Sequence, residues 1–430
     1  VDISVIVLIV SFIIFLALNI PIAIAIGLST VLTMLFTIAP LPAITTVAQQ
    51  MATGINSFSL LAIPFFILSG FIMGQGGIAR RLIDFAKVVV GVFPGGLAYV
   101  NVVACMFFGA ISGSAAAATS AVGGFMIPSM NKEGYDKNFN TALTVTAATT
   151  GLLIPPSNIL IVYSLASGGV SIAALFIAGY LPGIVAGLSL MIVAAIIAVI
   201  KKYPKGERYS LTFAAKKLLD ALPSLLLIYI VIGGIIAGIF TATEASAVAV
   251  LYSLVLTLIY KEIKIKDLPG ILIKSVETTS IVMLLIGTSK AMSWILSYEN
   301  IPQNISATLI GLTDSTVLIL LIINVILLVV GTFMDMTPAV LIFTPIFLPV
   351  VTQLGIDPLH FGIIIVLNLC IGLCTPPVGS VLFLGCGIGQ TTIAKLIKPL
   401  IPFYLALLFS LAIVTYLPEV SLWLPRLFGY

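Results

Sequence analysis

Asp335 is the residue in this chain whose surroundings most demand a chemical explanation. It lies in residues 331–339 (GTFMDMTPA), inside an apolar stretch, with Gly331 and Thr332 before it and Thr337 and Pro338 after it. Burying a carboxylate is costly unless a cation or a dense set of hydrogen bonds compensates it. Glycine and proline free backbone carbonyls there, and threonines add hydroxyl oxygens. Ligation by oxygen alone suits a hard, weakly held monovalent cation, so Na⁺ is the first expectation and H⁺ the second. The competing reading is a carboxylate paired with a lysine or used as a helix cap, but ionisable groups at membrane depth are functional by default.

An earlier passage has the same form. Residues 109–119 (GAISGSAAAAT) are followed by GLLIPPSN at 151–158, as GTFMDMTPA is followed by GLCTPPVG at 372–379. Gly151 and Gly372, Pro155 and Pro376, Pro156 and Pro377, Pro128 and Pro349, and Asp136 and Asp357 all share an offset of 221 residues. The earlier copy has no acid. Ser112, Gly113, Ser114, Thr119 and Ser120 could still ligate Na⁺ through carbonyls and hydroxyls, although small residues also serve close helix packing. Both double prolines stop helices, and Ser157, Asn158 and Thr375 flank the stops. Helix N-termini made by such breaks present free N–H groups to a carboxylate. No buried arginine is available for bidentate recognition, which leaves backbone, hydroxyls and Lys290 to hold an anion. Two matched interruptions in two halves point to ion and substrate sites at the midplane of a secondary transporter.

The elements that carry these residues are membrane helices. The chain has 430 residues, 60% hydrophobic and only 8% charged, with a mean hydropathy of +1.27. Soluble domains carry about a quarter charged residues, so a soluble fold is excluded. The net charge of +4 comes from loop residues and implies no nucleic acid. His360 is the only histidine, and the four cysteines lie in apolar segments without metal-ligand company, so they read as packing residues. No nucleotide motif or nucleophile elbow is present: GCGIGQ at 385–390 lacks the Lys-Ser/Thr of a P-loop. The chain therefore does not read as an enzyme, and transport would draw on a gradient or another chain. The first segment lacks a basic n-region and a cleavage site, and does not read as a secretory signal.

Hydrophobic segments fall at about 3–18, 21–38, 54–79, 92–130, 141–167, 173–200, 220–240, 243–260, 276–312, 316–350, 361–388 and 396–417. Segments 92–130 and 316–350 exceed the roughly 20 residues of one span and carry their polar break inside, so they read as discontinuous helices. Segments 54–79 (Asn56, Ser57, Ser59, Pro64) and 276–312 (Gly287, Thr288, Ser289, Lys290) read as re-entrant hairpins, or else as kinked spans. The expected fold is an all-α polytopic membrane protein of two inverted-topology repeats, 1–205 and 206–430, each with a hairpin and a discontinuous helix. Each half then crosses five times, and an odd number inverts the second half. With this count Lys and Arg at 132–137, 201–217, 261–274 and 395–398 share the cytoplasmic side, while Arg80, Arg81, Lys87 and Arg426 lie opposite with both termini. Thr243 and Glu244 suit a helix start with an acid in its first turn.

The passages GAISGSAAAATSAVGGFMIPSM, TGLLIPPSN, TATEASAVAV, GTFMDMTPA and GLCTPPVG, in this order and spacing, resemble the large membrane subunit (M) of tripartite ATP-independent periplasmic (TRAP) transporters. The pattern is most similar to the sialic-acid type, and the C4-dicarboxylate type shares most of the motifs. The resemblance implies an elevator-type carrier in a bacterial inner membrane, with Na⁺ as coupling ion and no other cofactor. Its substrate would be an organic acid handed over by a soluble periplasmic binding protein (P), and a small four-helix membrane subunit (Q) would pack beside it in the lipid. A Q–M fusion would fit a chain beginning at Val1. Carried over, the first Na⁺ site would use Gly109, Ser112, Gly113 and Ser114 with a hairpin tip at Ser57 and Ser59. The second would use Gly331, Asp335 and Thr337 with a tip at Thr288 and Ser289, and Thr375. Substrate contacts would come from Ser114, Thr119, Ser157, Asn158, Thr337 and Lys290. A stand-alone divalent-anion/Na⁺ symporter is the alternative reading; a channel or intramembrane enzyme is the remote one and explains neither the duplication nor the paired breaks.

Overall fold

The computed structural model describes residues 3–75, 77–206, 210–313, 315–376 and 378–430; Pro377 of the second double proline and Arg208 of the mid-chain linker lie outside the described residues. Described residues form helices and turns, with a single isolated bridge between Pro94 and Lys205. The first half builds α1 (Ile3–Ala17), α2 (Ile22–Thr37), α3 (Pro40–Ile55), α4 (Ala62–Gln75), α5 (Ile78–Val90), α6 (Gly96–Ser112), α7 (Ala115–Lys132), α8 (Lys137–Thr150), α9 (Asn158–Ala166) and α10 (Ile172–Ile200). The second builds α11 (Leu211–Ile236), α12 (Ala242–Ile259), α13 (Leu268–Tyr298), α14 (Ile301–Leu312), α15 (Thr316–Phe333), α16 (Met336–Gln353), α17 (Pro358–Leu373), α18 (Ser380–Ile388), α19 (Ile393–Tyr416) and α20 (Glu419–Leu427). Among the described residues, 8 helical stretches are long and apolar enough to cross a membrane. The start of α12 follows the sequence reading: Thr241 caps it and Glu244 closes a capping box, satisfying two orphan N–H groups reciprocally.

The hairpins are not where the polar residues of 54–79 and 276–312 suggested. Residues 62–75 form one helix, preceded by a short 3₁₀ turn at Phe58–Leu61. Residues 287–290 lie in the interior of α13, which runs unbroken from Leu268 to Tyr298. The physical reason is that Gly, Thr and Ser do not stop a helix as proline does; a mid-helix glycine costs only about 1 kcal/mol. The Thr288 hydroxyl simply returns to the Leu284 carbonyl one turn back, at 3.0 Å.

The long segments expected to be discontinuous spans fold back instead. Asn101 of α6 donates to Met130 of α7 at 3.8 Å, whereas a continuous helix would separate them by about 40 Å. The reversal is made at Gly113, in the left-handed region at φ 61°, followed by extended Ser114, whose hydroxyl caps α7. In the second half, Tyr416 bonds Val317 at 3.2 Å and His360 lies 3.3 Å from the Thr415 carbonyl, so α15 and α17 start together. They also end together, since a Cβ built on Gly331 would lie 3.1 Å from the Gly372 Cα. α15 and α17 are therefore parallel, and α16 must return between them. The helices interrupted in mid-course are α8/α9 and α17/α18, at the two double-proline passages.

One end of the molecule gathers most of the basic residues. Tyr203 stacks on Tyr135 at 4.3 Å, which brings the 132–137 and 201–206 loops together. Arg81 pairs with Glu262 at 2.9 Å and Lys217 with Asp84 at 2.8 Å. Arg80, Arg81 and Lys87 of α5 thus join this Lys-rich face, contrary to the sequence assignment that set them opposite. The cause is the same relocation: 54–79 is one traverse, not a hairpin, so α5 emerges on the other side.

Candidate functional site

Two hairpin tips and two interrupted helices meet around one cavity of about 670 Å³. Its lining includes Ser112, Gly113, Ser114 and Ser120 from the first hairpin, and Asp335, Met336 and Thr337 from the second. Asn158 and Ile159 contribute from the start of α9, and Ser380 and Val381 from the start of α18. The wall is completed by Ile63, Ile67 and Phe71 of α4 and by Thr278 and Val282 of α13. The cavity reaches Gly74 and Gln75, at the Lys-rich end of α4.

Four helices present their N-termini to this space: α7, α9, α16 and α18. Each N-terminus carries a partial positive charge and unpaired N–H groups. No lysine or arginine is among the lining residues, so the positive potential comes from backbone dipoles. Ser114 and Asp335, 221 residues apart, are the N-caps of α7 and α16; Ser114 accepts from the Ala117 N–H at 3.2 Å and Asp335 from the Met336 N–H at 2.9 Å. The Asp335 carboxylate places the one formal charge at the cavity wall.

The opposite helix ends pair up behind the tips. α6 and α8 end against each other, where a Cβ on Gly109 would lie 2.8 Å from the Gly151 Cα. α15 and α17 end against each other at Gly331 and Gly372. Only residues without side chains allow this approach, and it brings two carbonyl ends, each a partial negative charge, to one place. Near the first pair, Ser157 is fully buried with an unpartnered hydroxyl, and the side-chain amide oxygen of Asn158 (Oδ1) is also unpartnered. A Cβ on Gly113 would lie 2.9 Å from the Asn158 amide nitrogen, so Asn158 sits directly on the hairpin tip. These oxygens fit a small cation: buried acceptors without donors are costly unless something positive meets them. The Thr375 hydroxyl, in the α17/α18 break, donates to the Ile371 carbonyl at 2.6 Å.

Other residues singled out in the sequence lie elsewhere. Ser57 and Ser59 line a separate cavity of about 560 Å³ with Ser164, Ser171, Thr241 and Thr243. At the first hairpin tip it is Gly70 of α4 that approaches, with its would-be Cβ 2.7 Å from the Ser112 carbonyl. Thr288 packs on Gly27 of α2, Ser289 is buried in the same helix, and the Lys290 stem packs on Gly54 of α3; none of the three is a cavity residue. Thr119 is buried and donates to the Ala115 carbonyl at 2.8 Å, turned into its own helix. Ser380 and Thr278 were overlooked: Ser380 follows the second double proline, and Thr278 stands in SVETTS, the polar spot of an apolar helix.

The sequence matches the family described as tripartite ATP-independent periplasmic transporter, DctM component, over residues 9–420. The chain belongs to the DctM family of TRAP transporters. Among its relatives, the uncharacterized protein YgiK of Salmonella typhimurium is 56% identical over 99% of this chain and 98% of its own. The C4-dicarboxylate TRAP transporter large permease protein DctM of Pseudomonas aeruginosa is 42% identical over 94% of each chain. Among solved structures, the Alcanivorax borkumensis YdaH transporter shares the fold at a TM-score of 0.64 and 13% identity, covering 91% of this chain and 90% of its own. A DctM subunit is a transport permease rather than an enzyme, and a multi-pass protein of the inner membrane. In this family the large permease works with a small membrane subunit and a periplasmic binding protein.

Proposed function

We propose that this chain moves a carboxylate-bearing organic acid, a C4-dicarboxylate or a sialic acid, across the inner membrane by coupling it to Na⁺. The observation that carries the reading is the convergence of four helix N-termini on one cavity that has no basic side chain. An anion there is held by dipoles and hydroxyls, a weak site suited to release. The two carbonyl-end pairs supply the complementary cation sites. The first comprises the Gly109 region, Ser112, Gly113, Ser114 and the unpartnered oxygens of Ser157 and Asn158. The second comprises Gly331, Asp335, Thr337 and Thr375. They differ in charge, since only the second has a carboxylate.

The element order supports two inverted repeats, close to 1–205 and 206–430. Ser189 of α10 bonds Ser410 of α19 at 2.8 Å, and these residues are themselves 221 apart. Residues equivalent by duplication that touch each other lie on a pseudo-two-fold axis. With the hairpins returning to their own sides, each half crosses five times (α1, α2, α3–α4, α8–α9, α10 in the first), an odd number that inverts the next half. The Lys-rich face is then cytoplasmic by the positive-inside rule, and the cavity opens inward. The hairpins and interrupted helices form the moving body of an elevator against α1–α5 and α11–α14. Ser69 of α4 bonds Ser253 of α12 at 2.8 Å within that frame. A periplasmic binding protein delivers the substrate, and a small four-helix membrane subunit packs beside the frame in the lipid.

Uptake by proteoliposomes containing the large and small membrane subunits tests this. Transport of labelled organic acid should require both an inward Na⁺ gradient and the binding protein. Uptake without the binding protein would replace this reading by a stand-alone symporter, and uptake indifferent to Na⁺ would overturn the coupling.

A further inference from the structure

α10 and α19 occupy equivalent places in the two halves, and the Ser189–Ser410 bond fixes their register. The same offset pairs Gly183 with Tyr404, and the two residues treat their neighbouring breaks differently. At the first break, Leu153 and Ile154 close directly onto Gly183: a Cβ there would lie 2.6 Å from Ile154 Cγ1 and 3.5 Å from Leu153 Cβ. At the second break a phenol occupies that place, and the Tyr404 hydroxyl donates to the Cys374 carbonyl.

Cys374 is the C-cap of α17. Its N–H and that of Thr375 tighten the last turn, bonding Ile371 at 3.2 Å and Gly372 at 2.9 Å. Just beyond, Gly379 folds back so closely that a Cβ would lie 2.8 Å from the Thr375 carbonyl oxygen and 3.1 Å from that of Leu373. The Leu373 and Thr375 carbonyls are thus crowded into one small space, beside the Gly331–Gly372 contact and the hairpin that carries Asp335. A carbonyl released by a helix end turns freely unless a donor holds it. Tyr404 supplies that donor from a helix outside the hairpin.

We propose that Tyr404 is a positioning residue for the second cation site: by holding the Cys374 carbonyl it fixes the peptide between Cys374 and Thr375, so that the adjoining Leu373 and Thr375 carbonyls keep their orientation toward the Asp335 hairpin. It touches neither cation nor substrate. This rests on the reading that Na⁺ binds between that hairpin and the end of α17. The first site needs no such device, because Gly183 lets the Leu153 and Ile154 side chains pack directly against α10.

Tyr404→Phe removes one oxygen and keeps the ring. In proteoliposomes with the small subunit and the binding protein, the Na⁺ concentration for half-maximal uptake should rise about tenfold, the effect of losing one buried hydrogen bond. Uptake should return as Na⁺ is raised. Heating the purified protein with and without Na⁺ separates this from general damage: the increase in unfolding temperature on adding Na⁺ should shrink in Tyr404→Phe, over and above any loss seen without Na⁺. A Na⁺ titration identical to wild type, or an equal loss of stability with and without Na⁺, overturns the proposal. If wild type shows no Na⁺ dependence, the cation reading itself fails; if wild type is stabilised by Na⁺ and Asp335→Asn keeps that stabilisation in full, the placement of the second site at the Asp335 hairpin fails. Should Tyr404→Phe not fold, 3-fluorotyrosine at 404 keeps the ring and makes the hydroxyl a stronger donor; it should shift the Na⁺ titration, and an unmoved titration overturns the proposal.

Discussion

At the scale of single residues, Asp335 and Ser114 do the same mechanical work and differ in charge. Both cap the returning helix of a hairpin, but only Asp335 brings a carboxylate to the cavity wall. Asp335→Ala should therefore abolish Na⁺-dependent uptake while the protein still inserts and folds, since the α16 N-terminus remains accessible to water in the cavity. Ser114→Ala should weaken Na⁺ activation without abolishing it, because carbonyls at the tip remain. A Na⁺ titration of uptake for both variants checks this, and wild-type behaviour of either would remove that residue from its site. Asp335 and the SGS tip stood out in the sequence because a polar group in an apolar run has a definite cost. Ser57, Ser59, Thr288, Ser289 and Lys290 stood out for the same reason, yet none reaches the cavity with Asp335. A serine or threonine can return its hydroxyl to its own helix, as Thr288 and Thr119 do, and composition does not distinguish that from a site. Lys290 lays its stem along α3 instead.

At the scale of elements, the fold of the site depends on two places where helices touch through glycine alone. Gly372→Val would drive a side chain into the Gly331 backbone, whose nearest atoms lie 2.5 Å from the would-be Cβ. Overpacking against a backbone that cannot move typically costs about 1–3 kcal/mol or more, so this variant should unfold at clearly lower temperature and lose transport. Gly124→Ala is the control: no atom lies within 4 Å of its would-be Cβ, and alanine favours a helix by about 1 kcal/mol, so its unfolding temperature should hold or rise. Scanning thermal unfolding of both in detergent gives the comparison. The helix stops at the double prolines were legible, and the duplicated offset tied them together, but the discontinuous spans were expected at 92–130 and 316–350; a single proline inside a helix, as at Pro128, Pro182 and Pro345, is no such signal. The hairpins were legible as breaks but not as reversals. A Gly-Ser or Met-Asp interruption looks the same whether the chain continues or turns back, and tertiary contacts tell which: Asn101 with Met130 for the first, Tyr416 with Val317 and Gly331 with Gly372 for the second.

At the scale of the whole molecule, relocating the hairpins moved a charged helix from one face to the other without changing the number of crossings. Arg80, Arg81 and Lys87 now reinforce the Lys-rich face, which sharpens the positive-inside asymmetry. Single cysteines at Lys87 and Lys205 should react with a membrane-impermeant reagent from the same side of the membrane, and one at Glu419 from the other. All four native cysteines are buried, so the background should be low. Labelling of the Lys87 position from the Glu419 side would restore the topology first read from the sequence. The sequence placed α5 on the wrong face because hydropathy does not say which of two adjacent segments crosses and which turns back.

On the inverted-repeat reading proposed above, the Ser189–Ser410 bond has an ancestral meaning. A group on a two-fold axis faces its own copy, and most side chains cannot bond to themselves: carboxylates repel one another, and ammonium groups do likewise. A hydroxyl is both donor and acceptor, so it is one of the few groups that can complete a hydrogen bond with an identical partner. A half-length chain carrying one serine there, and inserting in both orientations, could pair with an upside-down twin through that single atom. Fusion would then have freed the two copies to diverge, leaving the axis serines alike while the residues six positions earlier became Gly183 and Tyr404.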